Sequence, residues 1–310
     1  MDGILVVGST NVDLIATTAS LPSPGETVLG EHFLQARGGK GANQAVAASR
    51  SGGSVTVLTA IGDDLYGREC LDGFAAEEIE TDWIQCIPGV STGVALITVD
   101  SRGENCIVVT PGANAALTDK VIQAGFSRFS GIGVCVCQLE TPLDGIWSAL
   151  SLARKAGAFT ILNPAPAQPL DDDLLTNVDC LTPNQTEAEL LTGIRPESTK
   201  TAQIAAERLL DRGVRAVIIT MGARGAVLVD EEGMIHQPSP AVQTVDSTAA
   251  GDTFTGCLAA RIALGQALRQ ALPYACCAGA LAVTVRGAQP AIPTRQQIER
   301  LASDFLPKAN

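Results

Sequence analysis

The chain has 310 residues but only two histidines, His32 and His236. A zinc site built from several imidazoles is therefore excluded. A Ser–His–Asp triad would have to use one of the two, and neither follows a G-x-S-x-G turn. Positive charge is also scarce. Lys and Arg total 21 against 33 Asp and Glu, a formal net charge of −12, which argues against a nucleic-acid surface or a hold on anionic membranes. An acidic chain that binds a polyphosphate must use local amides, metal ions and a few bases. No apolar run approaches a membrane span. The start, MDGILVVGST, lacks the basic segment of a secretory signal, so a cytoplasmic protein without a membrane partner is expected. The nine cysteines are odd in number and show no C-x-x-C spacing. They read as small buried hydrophobes in a reducing compartment, with Cys135 and Cys137 sharing one face of a strand. GIGVCV at 131–136 begins like a dinucleotide fingerprint, but it lacks the third glycine and leads into a strand.

Hydrophobic residues make up 46% and glycines number 31, so a sizeable core with many tight turns is expected. Ile4–Val7 reads as a central parallel strand. Further strands are expected over 55–61, 134–139, 159–162, 179–182, 216–220 and 226–230. Helices are expected over 42–51, from about 65 to 79, and over 119–129, 143–156, 202–212, 268–285 and 295–305. This βα alternation predicts an α/β fold with a mainly parallel sheet. A different texture interrupts it: short β stretches near 27–34, and TGVALITVD with ENCIVVT around a tight turn, an antiparallel hairpin. One domain over 1–310 follows, with a small β lid inserted from about 14–37 and 91–110.

Four stretches carry chemistry. In TVDSTAAGDTFTGC (244–257) a β run over 241–245 leads through small residues to a helix from Thr253. The amides of Ala249, Ala250 and Gly251 would face an anion at a helix start, with the Asp252 carboxylate beside it. That suits phosphoryl transfer; the alternative is that Asp252 only caps the helix. RGGKGANQAVAASRSGG (37–53) is a second glycine-rich helix entry but not a Walker A loop, since Gly41 follows Lys40. Its glycines would let a ligand lie against the backbone, and Lys40 and Asn43 could bond hydroxyls. Asn184 and Glu187 open a helix on one face; they could hold hydrated Mg²⁺ and phosphate or simply form an acidic first turn. Asn11, Asp13, Glu140, Asn184, Thr220 and Asp252 are read as polar residues near strand ends, where α/β sheets bind ligands.

Taken in order, GSTNVD (8–13), GGKGANQAVAA (38–48), STGVAL (91–96), NPAPA (163–167), PNQTEAELLTG (183–193), TMGARG (220–225), VDSTAAGDTFTG (245–256) and RGAQPAIP (286–293) resemble the PfkB sugar-kinase family, most closely its ribose-phosphorylating branch. The resemblance implies a doubly wound α/β domain whose β lids clasp into a homodimer. It implies that ATP phosphorylates O5 of D-ribose, with Asp252 as base and the Ala249, Ala250, Gly251 and Asp252 amides as anion hole. Asn11, Val12 and Asp13, the loop Gly39, Lys40, Gly41, Ala42 and Asn43, and Glu140 would bind the sugar. Asn184 and Glu187 would serve phosphate and Mg²⁺, Glu187 through water. Thr220, Met221, Gly222, Ala223, Arg224 and Gly225, with Gly251 and Cys276, would line the nucleotide. A potassium ion would sit at Asp246, Thr248, Ala282, Val285, Gly287 and Ala291 as an activator. The chain departs from the family pattern at Ser247, at Ala291, which removes a hydroxyl near the ion, at Cys276 beside the adenine, and at Arg37 near the sugar loop, where it would alter substrate preference. Alternatives are a family kinase acting on 2-deoxyribose, fructose or a nucleoside, and a non-catalytic sugar sensor, which would tend to lose the Asp252 carboxylate.

Overall fold

The computed structural model describes residues 2–126 and 131–305. The chain opens with β1 (Gly3–Val7), β2 (Asn11–Thr18) and β3 (Gly30–Gly38), then α1 (Lys40–Arg50), β4 (Val55–Leu58), β5 (Ala60–Gly62), α2 (Leu65–Ala76) and β6 (Gln85–Ile87). The hairpin β7 (Gly93–Val99) and β8 (Asn105–Thr110) precedes α3 (Asp119–Phe126), β9 (Ile132–Cys137), α4 (Leu143–Lys155), β10 (Phe159–Leu162) and α5 (Asp172–Leu175). Then come β11 (Cys180–Leu181), α6 (Gln185–Thr192), α7 (Thr199–Leu210), β12 (Ala216–Thr220), β13 (Ala226–Asp230) and β14 (Gly233–Gln237). Three helices finish the described chain: α8 (Ala250–Ala263), α9 (Leu268–Ala282) and α10 (Arg295–Phe305).

The large sheet runs β4-β1-β9-β10-β11-β12-β13-β14. The strands from β4 to β12 are parallel, while β13 and β14 fold back antiparallel. Because side chains alternate along a strand, Ile4 and Val6 face one layer and Leu5 and Val7 the other. The first layer joins the apolar faces of α1, α8 and α9; the second joins those of α3, α4 and α7 and holds Cys135 and Cys137 together. The sheet is thus doubly wound, as the resemblance implied. The chain steps from β1 outward to β4 and later returns to β1's other side at β9. This reversal opens a crevice at the carboxyl ends of β1 and β9.

The small sheet is β3-β2-β7-β8. It begins at Asn11, earlier than expected: Asn11 and Asp13 do not sit in a loop after β1 but open β2, paired with β3 and β7. Its edge strand β3 begins at Gly30, so 27–29 is not extended in the sheet. The strand expected over 55–61 is two, since β4 pairs with β1 whereas β5 pairs with β6. The β run expected over 241–245 does not form. Among the described residues β14 closes that edge of the sheet, and the Val245 and Asp246 amides turn instead to the Val283 carbonyl, at 2.7 and 3.2 Å. The helix expected over 119–129 is helical to Phe126; 127–129 lie outside the described residues.

Candidate active site

The crevice is built where α1 meets β1. Gly39, with φ 88°, turns the chain into α1, and the Ala42 amide bonds the Ser9 carbonyl at 2.9 Å. A Cβ on Gly41 would stand 2.6 Å from the Gly8 carbonyl carbon, and one on Gly39 2.7 Å from the Asn11 nitrogen. The missing Cβ atoms at these two glycines let the loop pack directly against the Gly8–Asn11 backbone. No side chain within the loop caps α1. Instead Glu140, just past β9, reaches across: its Oε2 accepts the Lys40 amide at 3.0 Å and the Ser9 hydroxyl at 2.5 Å.

Asp252 lies in the first turn of α8 and is buried. It does not cap that helix. The cap position is Ala249, held left-handed at φ 57° with no side-chain hydrogen bond to the first turn. The carboxylate faces α1: Oδ2 accepts from Asn43 Nδ2 at 3.0 Å and Oδ1 from Gln44 Nε2 at 3.1 Å. Gly256, one turn on, makes this reach possible, since a Cβ there would sit 2.3 Å from the Gln44 carbonyl and 2.7 Å from the Ala47 methyl. At Gly251 the opposite holds: it is exposed, and nothing lies within 4 Å of where its Cβ would be. The α8 start thus meets open space at Gly251, with its positive dipole end toward an anion there, while the Ala250 amide already donates to the Ser247 carbonyl at 3.3 Å.

Asp13 and Lys40 bring more charge to Asp252. Asp13 is buried on β2, and Gly38 on the paired strand cradles its carboxyl, where a Cβ would lie 2.3 Å from Oδ2. Burial, then the Glu140 and Asp252 carboxylates, push the Asp13 pKa up to about 6. The Asp252 carboxylate foremost, with Glu140, Glu187 and Asp13 after it, holds the Lys40 ammonium above its ordinary range against the opposing effect of burial. Asn11, also buried, accepts from Asn114 Nδ2 at 2.7 Å. Val12 points the other way, fully buried beside Ile61 and Cys70, so only its backbone can face the crevice. The side chain of Ala42 is likewise in the core. Arg37, opposite Val12 in register, lies against α2, its Nη1 2.5 Å from where a Gly73 Cβ would be. It therefore lies on the opposite face of the small sheet from Asp13.

Along the sheet edge, an isolated parallel bridge joins Asn184 to Thr220. Asn184 and Glu187 form a complete capping box for α6: Glu187 Oε2 accepts the Asn184 amide and Asn184 Nδ2 bonds Glu187 Oε1, each at 2.8 Å. The helix-start reading therefore holds. Glu187 is nonetheless buried deeply enough that desolvation lifts its pKa to about 7, and Lys40 and Asp252 both act on it. After β12, Met221–Gly225 make a tight turn closed by Met221 N to Gly225 O at 2.8 Å, with Gly222 and Gly225 at φ 58° and 87°. Gly222, Ala223 and Arg224 are exposed. The Arg224 guanidinium turns to the Glu197 and Pro196 carbonyls. Cys276 is buried in the apolar layer between α8 and α9.

Asp246 ties two loops together. Its Oδ1 accepts the Thr248 amide and hydroxyl at 2.9 and 2.7 Å, and its Oδ2 accepts the Gly287 amide at 2.8 Å. These bonds keep its pKa low in spite of partial burial. Ala282, Gly287 and Ala291 are buried nearby in sequence, and Val285 is exposed. Among the described residues no group of three or more His, Cys, Asp and Glu side chains is arranged to hold a metal.

Residues 1–295 match the pfkB family of carbohydrate kinases. The chain belongs to the PfkB family. This PfkB kinase is 41% identical over 295 residues to the ribokinase of Haemophilus influenzae, covering 95% of the chain and 96% of that protein. It is 35% identical over 301 residues to the deoxyribokinase of Salmonella typhimurium, covering 97% and 98%. Its fold superposes on the structure of Arabidopsis thaliana ribokinase complexed with ribose and ATP with a TM-score of 0.88 at 29% identity, covering 97% and 98% of the two chains. An ATP-dependent sugar kinase is thus at hand, and its crevice brings Asn11, Asp13, Lys40, Asn43, Glu140, Glu187 and Asp252 together. Sequence reasoning passed over Ser9, Gln44, Asn114, Gln138 and Asn163. The available signals were Gln44 directly after Asn43, and Gln138 as the polar residue ending the apolar run VCVC.

Proposed function

We propose that this kinase transfers the γ-phosphoryl group of ATP to O5 of D-ribose. The observation that carries the reading is the buried Asp252 carboxylate, held by two amide donors beneath an uncapped helix start with open space at Gly251. Asp252 takes the proton from the sugar hydroxyl as the oxygen attacks phosphorus. The Ala249–Asp252 amides meet the charge that develops on the transferring oxygens. Asn11, Asp13, Asn43 and Glu140 offer a pentose the donors and acceptors its several hydroxyls need, with the Gly39–Asn43 backbone as one wall. Lys40 balances the four carboxylates around it and is read with the loop that holds the sugar. Asn184, Thr220 and the Met221–Gly225 turn, with Cys276, form the nucleotide side.

Two ions fit the residues present. Magnesium arriving with ATP would be met, through water, by Glu187, whose desolvated carboxyl gains from a nearby cation. It would supply charge neutralisation on the phosphates. Potassium would fit at Asp246, an ionised carboxylate anchored between the 248 and 287 loops, with Thr248 and the carbonyls of Ala282, Val285, Gly287 and Ala291 around it. It would order the turn that carries the anion hole. The small sheet is read as a lid over the sugar. Its strands expose Phe33 and Val108 on one face and Leu34, Ile107 and Val109 on the other, apolar area that suits a second lid in a homodimer. Nine cysteines free of disulfides fit a cytoplasmic protein.

The relative named a deoxyribokinase makes 2-deoxyribose the second reading for substrate. ADP release from ATP–Mg²⁺ with D-ribose, 2-deoxyribose, D-fructose and adenosine, each with and without K⁺, tests both. A preference for ribose increased by K⁺ is expected. A higher kcat/KM for 2-deoxyribose would replace the substrate and keep the chemistry. No turnover with any of them would favour a sugar sensor.

A further inference from the structure

Behind Asp252 lies a chain of side-chain amides. Gln44 is fully buried, and its Nε2 donates both protons, to Asp252 Oδ1 at 3.1 Å and to Asn163 Oδ1 at 3.2 Å. Its Oε1 accepts from Gln138 Nε2 at 2.6 Å. Gln138 is also fully buried and is wedged over Gly8, where a Cβ would stand 1.8 Å from Gln138 Oε1. Asn163 is fixed in turn by donating to the Thr182 carbonyl at 3.0 Å. Gln138 settles the Gln44 amide and the Thr182 carbonyl settles that of Asn163, while Gln138 Oε1 itself is buried without a hydrogen-bond partner. With Gln138 donating to Gln44 Oε1, the Gln44 NH₂ can only face Asp252 and Asn163. The chain is anchored past the ends of β9 and β10, the rigid part of the fold.

We infer that Gln44, oriented by Gln138, is the positioning residue that aims the Asp252 carboxylate at the attacking hydroxyl. This rests on Asp252 being the base. An amide donor suits the task because it favours the ionised carboxylate yet carries no charge or titratable proton of its own. The Gln44 bond to Oδ1 and the Asn43 bond to Oδ2 fix the carboxyl plane and leave one further lone pair on each oxygen to accept a proton. The charged groups facing Asp252 are Lys40 from α1, Asp13 from β2 and Glu187 from α6, with Glu140 acting on Lys40 and Asp13. Gln44 and Gln138 are the neutral part of this surround and set geometry, not charge.

The test measures kcat, KM for ribose and KM for ATP from pH 5.5 to 9 in the full-length enzyme, for three variants. Gln138→Met keeps the volume but frees the Gln44 amide to turn. It is expected to lower kcat roughly ten- to a hundredfold, the scale on which a reacting group suffers when the side chain supporting it is removed, with both KM values within about threefold of the parent. Gln44→Glu sets a second carboxyl against Asp252, and the two share a proton. Its kcat is expected to be low at neutral pH and to recover as pH rises, a shift that poorer packing would not produce. Parent-like kcat and pH profile in a folded Gln138→Met overturns the inference, and so does a change confined to KM. If Gln44→Glu does not fold by circular dichroism, Gln138→Met alone decides. Asp252→Asn separates the two levels. Loss of turnover there beside a normal Gln138→Met defeats only the positioning role, whereas normal turnover in Asp252→Asn defeats the base as well.

Discussion

Gly256 and Gly251 lie on the same helix, yet an added methyl should act on them in opposite senses. At Gly256 it would meet the Gln44 carbonyl at 2.3 Å and the Ala47 methyl at 2.7 Å. Neither is the free end of a flexible side chain, so α1 and α8 must part by about 1 Å. Overpacking of that kind costs about 1–3 kcal/mol. The parting also stretches the Asn43 and Gln44 bonds to Asp252, and bonds to a charged group contribute about 1.5–3 kcal/mol each. With only part of the latter lost, Gly256→Ala should be less stable by about 2–4 kcal/mol. At about 2.1 cal/mol/K per residue over 310 residues, that is a fall in melting temperature of roughly 3–6 °C. A reacting group misplaced by about 1 Å costs on the order of a hundredfold, so kcat should fall at least tenfold. Gly251→Ala meets nothing within 4 Å. In a helix it gains about 0.5–1 kcal/mol from the lost freedom of glycine, while its methyl enters the space read as the phosphate site. It should melt no lower than the parent and still turn over more slowly. Calorimetry and a coupled ADP assay on both variants decide. Equal melting and equal turnover of Gly256→Ala and the parent would refute the account of how α8 reaches α1. A large loss of stability in Gly251→Ala would refute the open anion site.

Three further outcomes are expected. The Asp13 pKa of about 6 lies above its unfolded value of about 3.9, so its contribution to stability is complete below about pH 4 and is lost as pH rises to about 6. Glu187, lifted to about 7, continues the fall, and Asp13→Asn should flatten the lower part of the melting-temperature profile of the ligand-free enzyme; an unchanged profile would contradict the burial argument. Asp246→Ala removes the tie between Thr248 and Gly287 and should abolish any response of kcat to K⁺, which a K⁺ titration reads; a variant still activated like the parent would place the ion elsewhere. Val108→Asp on the exposed β8 should give a monomer in sedimentation, and an unchanged assembly state would remove the lid from the interface.

The apolar runs and their glycine punctuation made the parallel sheet legible, because Ile4–Val7 and Ala216–Thr220 can be little else than buried strands. The hairpin of β7 and β8 was legible from its alternation and turn. What sequence could not give was which partner each backbone finds. Val245 alternates like a strand residue but finds Val283 instead of a sheet edge. Asn11 and Asp13 look like loop residues but begin a strand, because β3 and β7 flank them. The glycines of the 38–41 loop announced close approach without saying to what, and the answer was Gly8–Asn11 and the Asp13 carboxyl. The contact between Gln44 and Gln138 was hidden for the same reason. They are distant in sequence, and their role exists only once α1 and β9 stand side by side.

The central claim is that Asp252 removes the proton from the sugar hydroxyl. It is tested most directly by the single-turnover rate of phosphoryl transfer from ATP–Mg²⁺ to ribose in Asp252→Asn, with ribose and ATP binding measured on the same protein. Binding within a few fold of the parent is expected, with a rate lower by several orders of magnitude, since base and positioning are lost together. A rate within tenfold of the parent, with binding intact, would contradict it.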